Sequence, residues 1–331
     1  MSKNKALLIG INYMGTESAL NGCINDVQNV FSYLKDRFEL VNEVKWERSK
    51  SLDKSLDNSE KDDDKDGTSI VSIVQHLRKK FESGKLGQDN LQTNLNFQQA
   101  HNVDTKHSTV DVLIMTDDKS IRDPLYPKKD NIMRGIEWLV KDADENSHLF
   151  FHYSGHGTSV PDKNGDEMDG RDEALCPVDY NSAGFIVDDE LNAKLVAPLP
   201  KGCVLRIITD CCHSGSITDL HYFYDNAQFL ADKNKNDALK EDKKEKQVQA
   251  DVVAWSGCMD NQTSADAYIN GKFAGALTAT FMEIMRDSKQ QHTYANLYET
   301  LLNRLKQRKY TQRPILSCSK PVLLSDNFDL F

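Results

Sequence analysis

The sequence predicts an α/β fold with a mostly parallel central sheet and helices on both of its faces. Three observations predict it. Short apolar, partly β-branched runs alternate with stretches of helical spacing over most of the chain, as in units of strand, crossover helix and parallel strand. The runs are apolar almost throughout rather than at every second residue, which marks strands covered on both faces. Several runs stop abruptly at glycine, aspartate, histidine or cysteine, and such sheets bind their ligands at the carboxyl ends of the strands.

Lys5 to Tyr13 (KALLIGINY) is the first strand, and Ala19-Leu20-Asn21-Gly22 separates it from a helix over Cys23 to Phe38. The helix carries Ile24, Val27, Val30, Phe31 and Leu34 in one apolar stripe. Cys23 and Asp26 fall near its start, where an acid ordinarily serves the helix dipole. From 48 to 107 the pattern breaks into an acidic run (Asp57 to Asp66), one helix-like stretch (Ser69 to Phe81) and a Gln/Asn-rich tail. This segment reads as a surface insertion, which costs a host fold little. Val110 to Thr116 is the second strand, followed by an amphipathic helix over Lys129 to Ala143 with Ile132, Ile136, Trp138, Leu139 and Val140. His148 to Tyr153 is the third strand, stopping at Ser154-Gly155-His156-Gly157. An acidic loop, Asp162 to Glu173, then leads to Cys176-Pro177-Val178-Asp179 and to a helix from Val187-Asp188-Asp189-Glu190 to about Val196.

Val204 to Ile208 is the fourth strand, and it runs into Thr209-Asp210-Cys211-Cys212-His213-Ser214-Gly215. Asp219 to Phe229 reads as turns, and Ala231 to Lys246 as an exposed Lys-rich linker, since helical periodicity is absent there. Asp251 to Trp255 is a strand entering Ser256-Gly257-Cys258. Helices over Gly275 to Met285 and Tyr294 to Leu305 and a last strand, Gln312 to Cys318, complete the chain. No internal repeat is visible.

Composition narrows the function. Acids outnumber bases, 51 to 41, for a formal net charge of -10, which argues against a general nucleic-acid binder and suits a cationic ligand. No stretch is long and apolar enough to span a membrane, so no membrane partner is expected. The N-terminal stretch lacks a signal peptide's long apolar region, and seven cysteines without a regular framework indicate reduced thiols. The expected compartment is therefore cytoplasmic or nuclear.

His156 and Cys212 each follow the carboxyl end of a buried strand, so they can face one another across a shallow cleft as a Cys–His dyad. Strand alternation turns Asp210 and Cys212 one way and Cys211 the other. A thiolate activated by a nearby imidazole is a nucleophile, and backbone N–H groups of Gly157 and Cys212 are placed to stabilise an oxyanion. Zinc is a poor competing use, because three consecutive ligands cannot face one ion and no second pair stands at zinc-finger spacing. An EF-hand over Asp162, Asn164, Asp166 and Glu173 fails at Glu167, where the loop needs glycine.

These motifs resemble those of metacaspases, type I-like members of the clan of caspase-like cysteine peptidases. The residues that carry the resemblance are Lys5 to Tyr13, Gly22-Cys23-Ile24-Asn25-Asp26, His152 to Gly157, Pro177-Val178-Asp179 and Asp210 to Ser216. The resemblance implies a caspase-like three-layer α/β/α sandwich, one domain over 1-331. Its large segment is 1-230 with the insertion 48-107, and its small segment is 251-331, joined by the Lys-rich linker 231-250. It implies a cysteine endopeptidase with His156 as base, Cys212 as nucleophile and an acyl-enzyme intermediate. The implied substrates are proteins or peptides cleaved after Arg or Lys in a pocket of Cys23, Asp26, Ser154 and Asp210; two carboxylates there suit a guanidinium or ammonium. It also implies Ca²⁺ on Asp172, Asp188, Asp189 and Asp219, a monomer, and self-cleavage at Lys243, Lys244 or Lys246, with Lys61 and Lys65 as further candidates. The Pro/Gln-rich leader of many type I members is not in this sequence. A catalytically silent scaffold or proteostasis factor of the same fold is the alternative; its usual sign is loss of Cys or His, and both are present here.

Overall fold

Apolar strand residues segregate by parity, and that parity builds two cores, one on each face of a nine-stranded sheet. The structure, a computed structural model, describes residues 4–38, 40–46, 109–162, 170–211, 217–231, 234–241, 248–257, 266–269, 272–287, 292–310 and 312–331. The insertion 48-107 and the lysines Lys61, Lys65, Lys243, Lys244 and Lys246 lie outside these residues.

The parallel part of the sheet consists of β1 (Asn4–Gly10), β2 (Leu40–Glu43), β3 (Thr109–Thr116), β4 (His148–Ser154), β8 (Val204–Asp210) and β11 (Asp251–Ser256). Three antiparallel strands extend it, namely β9 (Tyr222–Tyr224), β10 (Leu239–Glu241) and β14 (Ile315–Cys318). Their order across the sheet is β10-β9-β14-β11-β8-β4-β1-β3-β2. Helices α1 (Cys23–Arg37), α6 (Ala276–Arg286) and α7 (Tyr294–Gln307) cover one face, where Leu8, Phe150, Ile208 and Trp255 meet Val27, Leu34, Phe281 and Tyr298. Helix α2 (Lys129–Val140) covers the other, where Leu7, Ile9, Phe151 and Ile207 meet Ile132, Ile136 and Leu139. A short helix α4 (Asp188–Leu191) continues as a π-helical turn, Asn192–Val196, over the same face. The result is three layers, as expected.

Several boundaries differ from the sequence reading. The stretch read as turns contains β9 and α5 (Asn226–Ala231), and within the expected linker Lys235–Ala238 is a 3₁₀ turn leading into β10. Ala238 is fully buried, which ties this part of the linker to the core. The acidic loop is partly strand: β5 (Gly157–Pro161), β6 (Arg171–Leu175) and β7 (Ile186–Val187) make a separate antiparallel sheet. Helix α3 (Tyr180–Ala183) precedes β7, and a hairpin of β12 (Asp266–Ile269) and β13 (Lys272–Gly275) leads into α6. Among the described residues no helix is long and apolar enough to cross a membrane.

Register brings the carboxyl ends of three strands into one row, Gly10 beside Ser154 beside Asp210. Small side chains in that row let α1 settle close to the sheet. A Cβ on Gly10 would lie 2.5 Å from the Cys23 carbonyl oxygen and 2.8 Å from Val27 Cγ2, so only glycine lets the first turn of α1 approach. The first turn carries Cys23 and Asp26, which thereby lie over the end of the sheet.

Candidate active site

Asp26 is fully buried and is not an exposed partner of the helix dipole. Its position on α1 is set by Asn12, whose side-chain oxygen accepts from the backbone N–H of Cys23 (3.0 Å) and Ile24 (3.4 Å) and so caps the helix from a distance. Asp26 accepts from Ser154 Oγ at 2.7 Å and from the backbone N–H of Gly275 at 2.9 and 3.0 Å. Asp210, also buried, accepts from the backbone N–H of Thr278 at 2.8 Å and from Gln312 Nε2 at 3.3 Å. Gly275 stands between the two acids, where a Cβ would come within 2.2 Å of Asp210 Oδ2 and 2.7 Å of Asp26 Oδ2. The amino end of α6 thus points at both carboxylates, with its dipole favouring their charge. Sequence reasoning missed Gly275, Thr278, Gln312 and Asn12; a glycine at the start of a predicted helix was the only available signal.

His156 lies two residues past Ser154 on β4, and Cys212 lies two residues past Asp210, the register partner of Ser154. Cys212 itself is outside the described residues, as are His213 and Ser214. Cys211 is buried among Ile207, Ile217 and Leu220, on the face opposite Ile208, as alternation predicts. His156 Nε2 is 2.7 Å from the Ser18 carbonyl oxygen in the loop after β1. A carbonyl only accepts, so Nε2 carries a hydrogen, and in the neutral imidazole the lone pair is on Nδ1. The main chain of His156 is held as well: its N–H donates to Tyr13 Oη at 2.9 Å, and its carbonyl accepts from Tyr153 Oη at 2.8 Å. Gly157 opens β5, paired with Leu175.

His152 is a second histidine of the same strand and is fully buried on the α6 side. Its Nε2 is 3.2 Å from Thr278 Oγ1, while Nδ1 is buried without a hydrogen-bond partner among the described residues. A second ring proton would gain no acceptor, and burial pushes the pKa from 6.5 down to about 3. The unfolded chain therefore binds this proton first as pH falls. Its contribution to stability is complete above pH 6.5 and is lost progressively from there toward about pH 3. His152→Phe is expected to flatten the fall of stability between about pH 6.5 and 4.5 by up to about 1.4 kcal/mol per pH unit, the slope of one proton. Urea midpoints across that range check this, and parallel curves for wild type and variant would contradict it.

Away from the row, Asp172 on β6 meets Asp188 and Asp189 at the start of α4, with one oxygen from each within 4.8 Å of the others. Asp172 and Asp188 are buried and Asp189 is half-buried. Asp188 accepts from the backbone N–H groups of Glu173 (3.0 Å) and Asp189 (2.8 Å), which fixes its plane. Asp219, the fourth expected ligand, is buried with a left-handed φ of 48° but does not belong to this group among the described residues. Three of four predicted ligands therefore come together. Three carboxylates are hard oxygen donors that suit Ca²⁺.

The three layers, a strand-end histidine and an acidic pair at one edge of a mostly parallel sheet define a caspase-like protein. Comparison places it further. A family model described as the metacaspase, peptidase C14 domain matches residues 4–86 and 89–221. Metacaspase-1 of Coccidioides immitis is 35% identical over 97% of this chain and 62% of its own length. Metacaspase-1A of Aspergillus terreus is 34% identical over 97% of this chain and 71% of its own length. A crystal structure of a Geobacter sulfurreducens protein aligns with a TM-score of 0.55 at 19% identity, over 98% of this chain and 97% of that one. The chain belongs to the metacaspase family, which is a family of cysteine peptidases. It spans about two thirds of the length of the curated relatives it matches.

Proposed function

We propose that the chain is a Ca²⁺-dependent cysteine endopeptidase that cleaves protein or peptide substrates after Arg or Lys. The observation that carries this reading is the buried pair Asp26 and Asp210, held at the same sheet edge as His156. Charge complementarity then selects a basic side chain, Arg through two parallel hydrogen bonds and Lys as a point charge. Ser154 and Cys23 complete the pocket.

In the reaction His156 Nδ1 takes the proton of the Cys212 thiol, and the thiolate sulfur attacks the scissile carbonyl carbon. The resulting oxyanion receives hydrogen bonds from the Gly157 and Cys212 backbone N–H groups. His156 returns the proton to the leaving nitrogen as the C–N bond breaks, leaving a thioester on Cys212. Water, deprotonated by His156, then releases the acid and the free thiol. The hydrogen bond from Nε2 to the Ser18 carbonyl supports these roles, because it keeps the lone pair on Nδ1 and stabilises the imidazolium that forms.

Ca²⁺ would be held by Asp172, Asp188 and Asp189, with Asp219 as a further donor, and would supply a divalent charge that neutralises their mutual repulsion. Asp189 is the most exposed of the three clustered acids and so the safest to remove. Asp189→Ala is expected to abolish both the rise in melting temperature and the stimulation of Arg-substrate hydrolysis by millimolar Ca²⁺, with the fold intact by circular dichroism. A calcium response equal to that of wild type would exclude this site. Faster cleavage after Asp than after Arg would overturn the proposed specificity. Fragment masses after Ca²⁺ addition would show whether the chain cuts itself at Lys243, Lys244 or Lys246.

A further inference from the structure

We propose that Tyr13 and Tyr153 form a buried phenol clamp that positions His156, an inference that rests on the peptidase reading only for its kinetic consequence. The two hydroxyls lie 3.1 Å apart and between them hold both polar groups of the His156 main chain. Tyr13 Oη accepts from the His156 N–H (2.9 Å) and spends its own hydrogen on the Cys176 carbonyl (2.6 Å). Tyr153 Oη donates to the His156 carbonyl (2.8 Å) and lies 3.0 Å from the Cys176 carbonyl, which can share that hydrogen. Two phenolic hydrogens are thus committed to two carbonyls. Tyr13→Phe takes from the His156 N–H this acceptor, and Tyr153→Phe leaves the His156 carbonyl only its bond from the Cys176 N–H (3.1 Å).

The imidazole is held by the same loop. The Tyr13 ring lies 4.6 Å from the imidazole, tilted by 39°, and the Ser18 carbonyl five residues on holds Nε2. Tyr13 adopts a left-handed φ of 50°, which costs free energy at a bulky residue and persists only where the surroundings enforce it. They do so here. Asp117 accepts from the N–H groups on either side, Asn12 (2.8 Å) and Met14 (3.1 Å), and Thr16 bonds the Tyr13 carbonyl through Oγ1 (2.8 Å) and N–H (3.2 Å).

Gly155 makes room for the clamp: a Cβ there would fall 2.7 Å from Tyr153 Oη and 3.0 Å from Tyr13 Oη. Burial holds both phenols well above their ordinary pKa, so they stay protonated donors across the working pH range. Tyr13 and Tyr153 touch no reacting atom in this account and are positioning residues.

The test compares wild type, Tyr13→Phe, Tyr153→Phe and a control, Tyr298→Phe. Tyr298 is equally buried, and its hydroxyl bonds the Pro314 carbonyl at 2.9 Å far along the chain from His156. Imidazole NMR of His156 and steady-state kinetics on an Arg substrate, per folded molecule, are the readouts. Either clamp variant is expected to broaden or split the His156 signals and to lower kcat on the order of tenfold to a hundredfold with KM within about twofold. Tyr298→Phe should change neither. Unaltered His156 signals in both clamp variants, or equal disturbance by Tyr298→Phe, would overturn the clamp. Loss of Cys212-dependent hydrolysis in wild type itself would instead overturn the peptidase reading, and the NMR comparison would still decide the clamp.

Discussion

Cys212→Ala is expected to abolish hydrolysis of a fluorogenic Arg substrate, lowering kcat by at least about a thousandfold, the loss seen when a covalent nucleophile is removed. Cys211→Ala is the informative contrast. Cys211 is packed with Ile207 and Ile217 on the α2 face, so its replacement opens a small cavity at a cost of about 1 kcal/mol and leaves the reaction in place. Rates of purified variants at equal folded concentration check both outcomes. Activity that survives Cys212→Ala, or disappears with Cys211→Ala, would reverse the assignment that strand alternation makes.

Asp210→Asn carries the second large effect. The amide retains an oxygen to accept from the Thr278 N–H, so the amino end of α6 keeps its cap, but the charge facing the substrate is gone. Removing one member of a buried charge pair costs about 2–5 kcal/mol, and kcat/KM for an Arg substrate is expected to fall by about a hundredfold to a thousandfold. Asp26→Asn should act in the same direction, because its carboxylate accepts from Gly275 and Ser154 and shares the same pocket wall. The loss should be mainly in binding of the basic side chain, so a substrate with a neutral residue at that position should be less affected. Equal losses for basic and neutral substrates would mean that these acids only hold α6 in place.

What the sequence made legible follows from the range of the forces involved. Parity of apolar residues along β1, β4 and β8 is local, and it separated the two cores and put Cys211 opposite Ile208 before any contact was known. The stripe on α1 was legible only in part. Ile24 and Phe31 are half-buried, whereas Asp26 and Tyr33 are buried with Val27, Val30 and Leu34. A buried carboxylate defies apolar periodicity because its burial depends on donors elsewhere, here a backbone amide 249 positions away at Gly275. The phenol clamp was illegible for the same reason, since Tyr13 and Tyr153 meet across 140 positions through a backbone conformation that pattern does not reveal. Strands β9 and β10 escaped because three-residue antiparallel strands show too little alternation, and β10 lies in a charged stretch. β6 escaped because its buried residues include Asp172 and Glu173, whose charges break apolar alternation, and the Asp188 carboxylate that accepts from the Glu173 N–H lies 15 positions on.

The most direct test of the central claim is covalent labelling with an acyloxymethyl ketone bearing arginine at the cleavage position, applied with millimolar Ca²⁺ and read by peptide mapping. One adduct per chain is expected, on Cys212, absent from Cys212→Ala and strongly diminished in Asp210→Asn, with an otherwise identical aspartate-bearing probe reacting far more slowly. An adduct on Cys211, no adduct at all, or faster labelling by the aspartate probe would contradict it.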